Sequence, residues 1–338
     1  MRGLRKYLTP FAPDQSGAVS VLYELGGILV IVDAGGCVGN ICGFDEPRWQ
    51  EKKSAIFSAG LRDMDAIMGR DKELVEKLAG AAEQVEANFV AFIGTPVPSV
   101  IGTDYYALSV MTERKIKLPV IAIDTNGMEL YDKGASKAYF ELGKRFFEYD
   151  KDGKVGIIGW NPLDINDAKA VDKLREIYKR ALIFGKDDCF EDGNKVKLCE
   201  NIVISHTGLA AAKYMKEKLG IPYRIEQPLA KQNDLYEIIN PGSKVLVVDE
   251  QIAGNSIREE LEKKDGEVTV ASWFGMEESL REKDDVHLQE EDDFCELVES
   301  GSFDAIIADA VHRQMIPDFK GLFVEKTSFA ISGNREML

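Results

Sequence analysis

Short runs of apolar residues alternate with amphipathic segments along most of the chain. Residues 28–32, 88–93 and 119–123 are such runs, and polar or glycine-rich turns bound them. Continuous apolar runs of this length are typical of strands that are buried on both faces. Between the runs the apolar positions recur with helical spacing, as in residues 14–25, where Asp14 or Ser16 is predicted to cap the first helix. The alternation of strand and helix predicts an α/β fold with parallel sheets.

The same strand–turn–helix pattern recurs in three stretches of the chain. Turn-forming residues are concentrated at 149–153 and again at 228–242, and such clusters mark junctions. Further apolar runs follow each junction, at residues 155–159, 201–204, 244–249, 268–271 and 303–307. We therefore predict three Rossmann-like domains with parallel sheets, which comprise residues 1–150, 151–235 and 236–338.

Composition and charge exclude some classes of partner. The chain has 338 residues, 45% of them hydrophobic and 30% charged, with a net charge of −16. A charge of this sign argues against nucleic acid or an anionic membrane surface as a partner. No apolar run approaches the ~20 residues of a membrane-spanning helix, and no signal-like segment follows the N-terminus. We expect a cytoplasmic protein whose five cysteines are thiols or metal ligands rather than disulfides.

Two of these cysteines carry the strongest chemical signal. Cys37 and Cys42 lie in a segment that also contains Gly35, Gly36, Gly39 and Gly43, directly after the first apolar run. Thiolates are the usual ligands of iron–sulfur clusters, and glycines allow a ligand to approach the backbone closely. Two thiolates do not complete a set of four, and a second copy of the chain is the simplest source of the rest. A reactive thiol pair and a glycine-rich phosphate loop remain alternatives, although the full nucleotide-binding fingerprints are absent.

Polar side chains follow most of the predicted strands. In parallel sheets ligands bind beyond the carboxyl ends of the strands, so we expect these side chains to line a cleft between domains; they are Thr95, Asp124, Asn161, His206, Glu250 and His312. Asp124, His206 and His312 are candidate catalytic residues, acting as proton donors or orienting groups. Gly36 and Thr95 are candidate cofactor-binding residues beside the two thiols. The alternative for each residue is a helix cap, a turn residue or a buried polar side chain.

Residues 92–104, Phe-Ile-Gly-Thr-Pro-Val-Pro-Ser-Val-Ile-Gly-Thr-Asp, resemble a motif of the nitrogenase component 1 family. In that family a strand is followed by Thr-Cys-Val-Pro, an acidic residue, two apolar residues, glycine and aspartate. Residues 118–127 are similar to the next strand and turn of the family, and Gly36-Cys37 matches its Gly-Cys pair after the first strand. The resemblance extends over residues 10–325 and is most specific between residues 91 and 127.

The resemblance implies three Rossmann-like domains in each of two paired chains. Cysteines from both chains hold an iron–sulfur cluster at their interface, and an ATP-dependent iron protein delivers electrons to it. A cavity between the domains holds a further metallocofactor or the substrate, which in some members is a tetrapyrrole. Other members assemble the nitrogenase cofactor.

The chain departs from the family at its cluster ligands. The family typically uses three cysteines per chain, and here only Cys37 is kept. Pro96 stands where another is expected, no cysteine occurs in residues 11–14, and Cys42 is an addition. We therefore predict one [4Fe–4S] cluster that is held by Cys37 and Cys42 of two identical chains, which requires a homodimer with a twofold axis through the cluster.

The resulting functional hypothesis is an anaerobic, homodimeric reductase component. Electrons from an iron protein pass through the shared cluster to a substrate in the inter-domain cleft. The main alternative is a non-catalytic scaffold that holds an iron–sulfur cluster or metallocofactor and transfers it. A further alternative is a small-molecule binding protein of the periplasmic-binding type that has this fold and no cluster.

Overall fold

The computed structural model describes residues 5–52, 54–62, 69, 71–165, 169–190, 195–231, 234–327 and 332. The described residues form three sheets in which every strand pair is parallel. This confirms the prediction of an α/β fold with three parallel sheets. No described helix is long and apolar enough to cross a membrane.

Sheet 1 has the strand order β2-β1-β3-β4. All four residues of β1 and of β3 are buried, as their continuous apolar sequences predict. The strands are β1 Ile28–Ile31, β2 Ala55–Ser58, β3 Val90–Ile93 and β4 Val120–Ile123. The helices of this part of the chain are α1 Asp14–Leu22, α2 Gly36–Asn40, α3 Asp71–Ala82, α4 Pro96–Ile101, α5 Tyr105–Ile116 and α6 Tyr131–Phe146.

Sheet 2 has the order β6-β5-β7-β8, with β5 Phe147–Ile158, β6 Ala181–Ile183, β7 Val196–Val203 and β8 Tyr223–Ile225. Strand β5 passes through the predicted junction, but its register shifts there. Both Tyr149 and Lys154 pair with Leu198, so the turn-forming residues between them bulge out of the ladder. The helices are α7 Ala170–Ile177, α8 Leu209–Leu219 and α9 Pro228–Lys231.

Sheet 3 has the order β11-β10-β9-β12-β13. Its strands are β9 Lys244–Val248, β10 Glu267–Ser272, β11 Val286–His287, β12 Ala305–Ala308 and β13 Leu322–Glu325, and its helices are α10 Gln251–Glu262 and α11 Glu291–Gly301. The three sheets follow one another along the chain, although β5 of sheet 2 begins at Phe147, before the predicted boundary at residue 150. The exact domain boundaries stay a prediction.

Helices α1 and α6 pack against each other unusually closely. A side chain at Gly17 would lie 1.9 Å from the Tyr131 carbonyl oxygen, and one at Gly134 would lie 1.7 Å from that of Asp14. The predicted capping of α1 by Asp14 or Ser16 is wrong, because Pro13 occupies the cap position. The Asp14 carboxylate instead accepts hydrogen bonds from backbone N–H groups of the turn after β4. The Asp14 side chain therefore links the start of α1 to the turn that follows β4 of sheet 1.

Candidate functional site

The two predicted thiols lie in the thiol loop, which we define as residues 33–46 after β1. Asp33, at the start of the loop, is buried and accepts hydrogen bonds from the backbone N–H groups of Cys37, at 2.9 Å, and Val38, at 3.3 Å. The Ser58 hydroxyl donates to the other oxygen of the same carboxylate at 2.5 Å. One buried carboxylate therefore fixes the first turn of α2 against strand β2.

Cys37 is half-buried in this loop and packs against the hydrophobic core. Burial and the negative charge of Asp33 raise the pKa of the Cys37 thiol, and a hydrogen bond with the Thr95 hydroxyl partly counteracts them. Gly35, at the cap of α2, has a φ of +116°, a conformation that favours glycine. A side chain placed at Gly35 or Gly36 would meet nothing within 4 Å. Within the described residues, the loop is therefore open at these two glycines.

Thr95 lies behind the thiol loop. It is completely buried at the carboxyl end of β3, and its hydroxyl donates to the Val32 carbonyl oxygen at 2.7 Å. Because β1 and β3 are neighbours in sheet 1, Thr95 lies beside Cys37, and its predicted role in binding a cofactor stays a prediction. Thr95 is thus available to support the thiol rather than to contact a large ligand directly.

Cys42 is held differently from Cys37. It lies in a single π-helical turn, Ile41–Asp45, which the Glu46 N–H closes on the Ile41 carbonyl oxygen at 2.8 Å. Such turns are rare in proteins overall, and those that do occur are often at functional sites. Cys42 is only 7% exposed, and burial together with the charge of Glu46 raises its pKa to about 11. Within the described residues no group of three or more His, Cys, Asp or Glu side chains is placed to hold a metal ion.

A second polar region lies where elements of all three sheets meet. We call it the seam network and define it by six residues: Tyr131, Asp164, Ser205, Asp249, Glu250 and Lys326. Glu250 follows β9 and accepts hydrogen bonds from the N–H groups of Ile252 and Ala253, both at 3.0 Å, and so caps α10. It also accepts from the His206 N–H at 2.5 Å. This carboxylate therefore joins sheet 3 to the loop after β7.

Asp164 occupies the centre of the seam network. It accepts from the hydroxyl of Tyr131, which is the first residue of α6, and from that of Ser205 at 3.3 Å. Burial and the neighbouring carboxylates of Glu250 and Asp249 raise the pKa of Asp164 well above its usual value. Burial also raises the pKa of Glu250 to about 7, despite the three N–H groups that stabilise its charge. Lys326 supplies a compensating charge, with its Nζ 2.5 Å from Asp249.

His312 uses both of its ring nitrogens within the protein. Trp273 donates to its Nε2 at 2.9 Å, and its Nδ1 lies 3.0 Å from the Asp309 carbonyl oxygen. Since an indole N–H can only donate, Nε2 is the acceptor and Nδ1 carries the proton. Burial lowers the pKa of His312 in addition. The structure thus holds a neutral imidazole with no nitrogen left for a ligand.

The remaining predicted residues lie in separate environments. His206 is partly buried, burial lowers its pKa, and its Nδ1 has no hydrogen-bond partner in the described part of the chain. Asp124 lies on sheet 1, at the end of β4, where its carbonyl oxygen accepts from Lys137. Asn161 is buried, and its Oδ1 accepts from the Ser20 hydroxyl of α1. Of the candidate catalytic residues, His206 keeps an unoccupied nitrogen. The catalytic roles stay predictions.

Sequence reasoning missed several residues that hold these two regions together. Asp164 and Lys326 carry no local motif, and their partners Tyr131, Ser205 and Asp249 are distant in the sequence. Arg48, after the thiol loop, is only 8% exposed, and its guanidinium is bidentate to Glu46 at 2.7 and 2.8 Å. The one signal in the sequence is the closely spaced Glu46 and Arg48 immediately after the second cysteine.

Comparison with known structures shows the fold of the whole chain. Two structures of a nitrogenase, described as "Nitrogenase Cp1" at pH 6.5 and at pH 5, superpose with TM-scores of 0.70 and 0.68. The first is 10% identical and the match covers 96% of this chain and 87% of that one. The second is 15% identical and the match covers 97% and 85%.

Sequence comparisons point the same way. The nitrogenase iron-molybdenum cofactor biosynthesis protein NifE of Rippkaea orientalis is 24% identical over 181 residues, which are 49% of this chain and 37% of that protein. The match therefore spans little more than a third of that relative. A family model for nitrogenase component 1 type oxidoreductases matches residues 15–232, which is more than half of the chain. The chain belongs to the nitrogenase component 1 type oxidoreductase family.

Proposed function

We propose that this chain is the catalytic component of a nitrogenase-like reductase and that two copies hold an iron–sulfur cluster between them. Cys37 and Cys42 of each copy are the proposed ligands, which gives the four thiolates that a [4Fe–4S] cluster takes. The observation that carries the proposal is the thiol loop itself. Its two cysteines follow β1 at the carboxyl edge of sheet 1, and a Cβ placed at Gly35, Gly36, Gly39 or Gly43 would meet no atom of the described residues within 4 Å.

Apolar side chains around the thiol loop support the pairing of two copies. They follow the carboxyl ends of the neighbouring strands β1, β3 and β4, and they include Phe44, Val97, Val100, Ile101 and Met128, all of them exposed. Exposed apolar surface of this kind marks protein–protein contacts. A second copy that covers this surface would bring its own two thiols towards the same place.

The residues of the chain have distinct parts in such a site. Asp33 fixes the backbone of Cys37, and Thr95 hydrogen-bonds with its half-buried thiol. Cys42 is more deeply placed, so its binding to a cluster requires its side chain to turn outwards from the π-helical turn. A bound cluster would supply one-electron transfer at this edge. In this proposal the electrons come from an ATP-dependent iron protein and reduce a substrate in the inter-domain cleft, with His206 as the available proton donor.

Iron and sulfide content measured under anaerobic conditions tests the proposal. The wild-type chain should bind about four iron atoms per two chains, and Cys37→Ala or Cys42→Ala should each lose most of them. Cys199→Ala is the matched control, because Cys199 is a partly exposed thiol on strand β7 of sheet 2. Retention of a full cluster by both variants would contradict the ligand assignment. A colourless, iron-free wild-type protein would instead favour the small-molecule binding alternative.

A scaffold for cluster or cofactor transfer is the second candidate. Two observations favour it. The first is the similarity to a cofactor biosynthesis protein. The second is the seam network, whose polar side chains bind one another and do not line an open cleft. Turnover of a substrate with reductant, ATP and an iron protein would support the reductase. Stoichiometric release of the bound cluster to an acceptor protein, without turnover, would support the scaffold.

A further inference from the structure

The π-helical turn that carries Cys42 is uncrowded at its glycines. A Cβ placed at Gly39, before the turn, or at Gly43, within it, would meet no atom of the described residues within 4 Å. A π-helical turn is less favourable than an α-helical one and persists where the surroundings hold it. The residues that hold this turn must therefore lie behind it or after it.

Asp45, the last residue of the turn, is one such attachment. It is buried, and its carboxylate accepts from the Ser16 hydroxyl of α1 at 2.7 Å. The Ser332 hydroxyl donates to its other oxygen at 2.5 Å. The end of the turn is thereby fixed to the first helix of the chain.

Arg48 provides the stronger attachment. Its guanidinium is bidentate to Glu46 and donates to the Ser20 carbonyl oxygen of α1 at 2.7 Å. It also lies over the ring of Tyr23, 4.6 Å from the ring centre, and 5.8 Å from that of Trp160, which follows β5. A planar guanidinium can make all of these contacts at once, whereas a lysine ammonium cannot. One side chain thus ties the residues after Cys42 to α1 and to sheet 2.

The geometry points to Arg48, acting through Glu46, as the positioning residue of Cys42 in the thiol loop. This inference rests on the proposed function, since it assigns Arg48 to the placement of a proposed ligand. Arg48 contacts neither thiol and has no role in the chemistry. Its effect is to fix the exit of the π-helical turn and with it the backbone of Cys42, from which the buried thiol must turn outwards to bind, while Asp33 fixes the backbone of Cys37 independently.

Hydrogen–deuterium exchange of the thiol loop tests the inference without any bound metal. In the Arg48→Met variant the amides of residues 42–44 should exchange at least about tenfold faster than in wild type. The amides of Cys37 and Val38, which Asp33 holds, should be unchanged, and Arg48→Lys should be intermediate. Arg258→Met is the matched control, because Arg258 is equally buried and paired with Asp285 in sheet 3, away from the loop.

Reconstitution with ferrous iron and sulfide completes the test. Arg48→Met should bind less iron than Arg258→Met at equal loss of thermal stability, and its cluster should show a changed visible spectrum. Unchanged exchange at residues 42–44, or faster exchange with full iron content and spectrum, would overturn the positioning role. If wild type itself binds no iron, the proposed function fails, and the exchange comparison still decides whether Arg48 holds Cys42.

Discussion

The thiol loop and the seam network occupy equivalent places in the fold and differ in what faces them. Both lie at the carboxyl ends of parallel strands, where ligands bind in such sheets. At the thiol loop, polar contacts lie behind the thiols and the front is open. In the seam network, carboxylates, hydroxyls and a lysine bind one another, and two contacts cross between the units of different sheets: Tyr131 donates to Asp164, and the His206 N–H donates to Glu250. The same position in the topology thus forms an open binding face at the thiol loop. In the seam network it forms a joint, by which we mean a polar contact between sheets, because a neighbouring sheet supplies hydrogen-bond partners there.

Among the variants considered, substitution of Lys326 in the seam network should lower the free energy of unfolding the most. In Lys326→Met, Asp249 loses its ion pair beside Asp164 and Glu250, and we expect a loss of about 3 kcal/mol in the free energy of unfolding. Chemical denaturation measures it. Lys137→Met is the control, because its exposed pair with Glu129 should contribute less than about 1 kcal/mol. Equal effects of the two variants would show that the seam network is not a buried joint.

The stability of the joint should also depend on pH. Because the pKa of Glu250 is raised to about 7 in the folded chain, its protonated form stabilises the fold below pH ~4.5, and this contribution is lost as the pH rises through 7. Relative to Glu250→Gln, wild type should therefore lose up to about 3 kcal/mol between these pH values. Unfolding measured across that range gives the difference, and a constant offset between the two proteins would contradict it.

A smaller effect is expected beside the joint, at His312. Trp273→Phe removes the donor to Nε2 and leaves a buried acceptor unpaired, which should cost about 1–3 kcal/mol. Iron content should be unaffected, since this contact belongs to sheet 3. Loss of iron in this variant at unchanged stability would instead place His312 in the metal site.

The smallest change in stability is expected at the open face. Gly36→Ala meets no neighbouring atom, so the free energy of unfolding should change by less than about 0.5 kcal/mol. If a cluster approaches the thiols over this glycine, as proposed, the added methyl group should obstruct it and iron content should fall. Gly80 in α3 is equally uncrowded and serves as the control. Gly80→Ala should leave iron content unchanged and should change the free energy of unfolding by no more than about 1 kcal/mol. Full iron binding by Gly36→Ala would mean that the open face is not the approach to the thiols.

The sequence was sufficient to predict the central strands of each sheet and the position of the thiol loop. Continuous apolar runs identify strands such as β1 and β3, because both of their faces are buried. The edge strands β2 and β8 were missed, since they are short and only partly buried. The seam network was missed because Asp164 and Lys326 are far apart in the chain and acquire meaning only after the sheets pack. The π-helical turn at Cys42 has no periodic signal at all.

Helix α6 has a consequence for how the protein moves. Tyr131, its first residue, bonds to Asp164, Asp132 beside it accepts from the Gly275 N–H at 3.0 Å, and Phe146, its last residue, leads without a loop into β5. Hinges are usually loop or terminal residues that absorb a change in backbone angles. In this helix the first end is held by hydrogen bonds, and the last end continues directly into a strand. The helix therefore connects sheets 1 and 2 rigidly. When a partner docks, the two sheets should move as one body and should not rotate relative to each other.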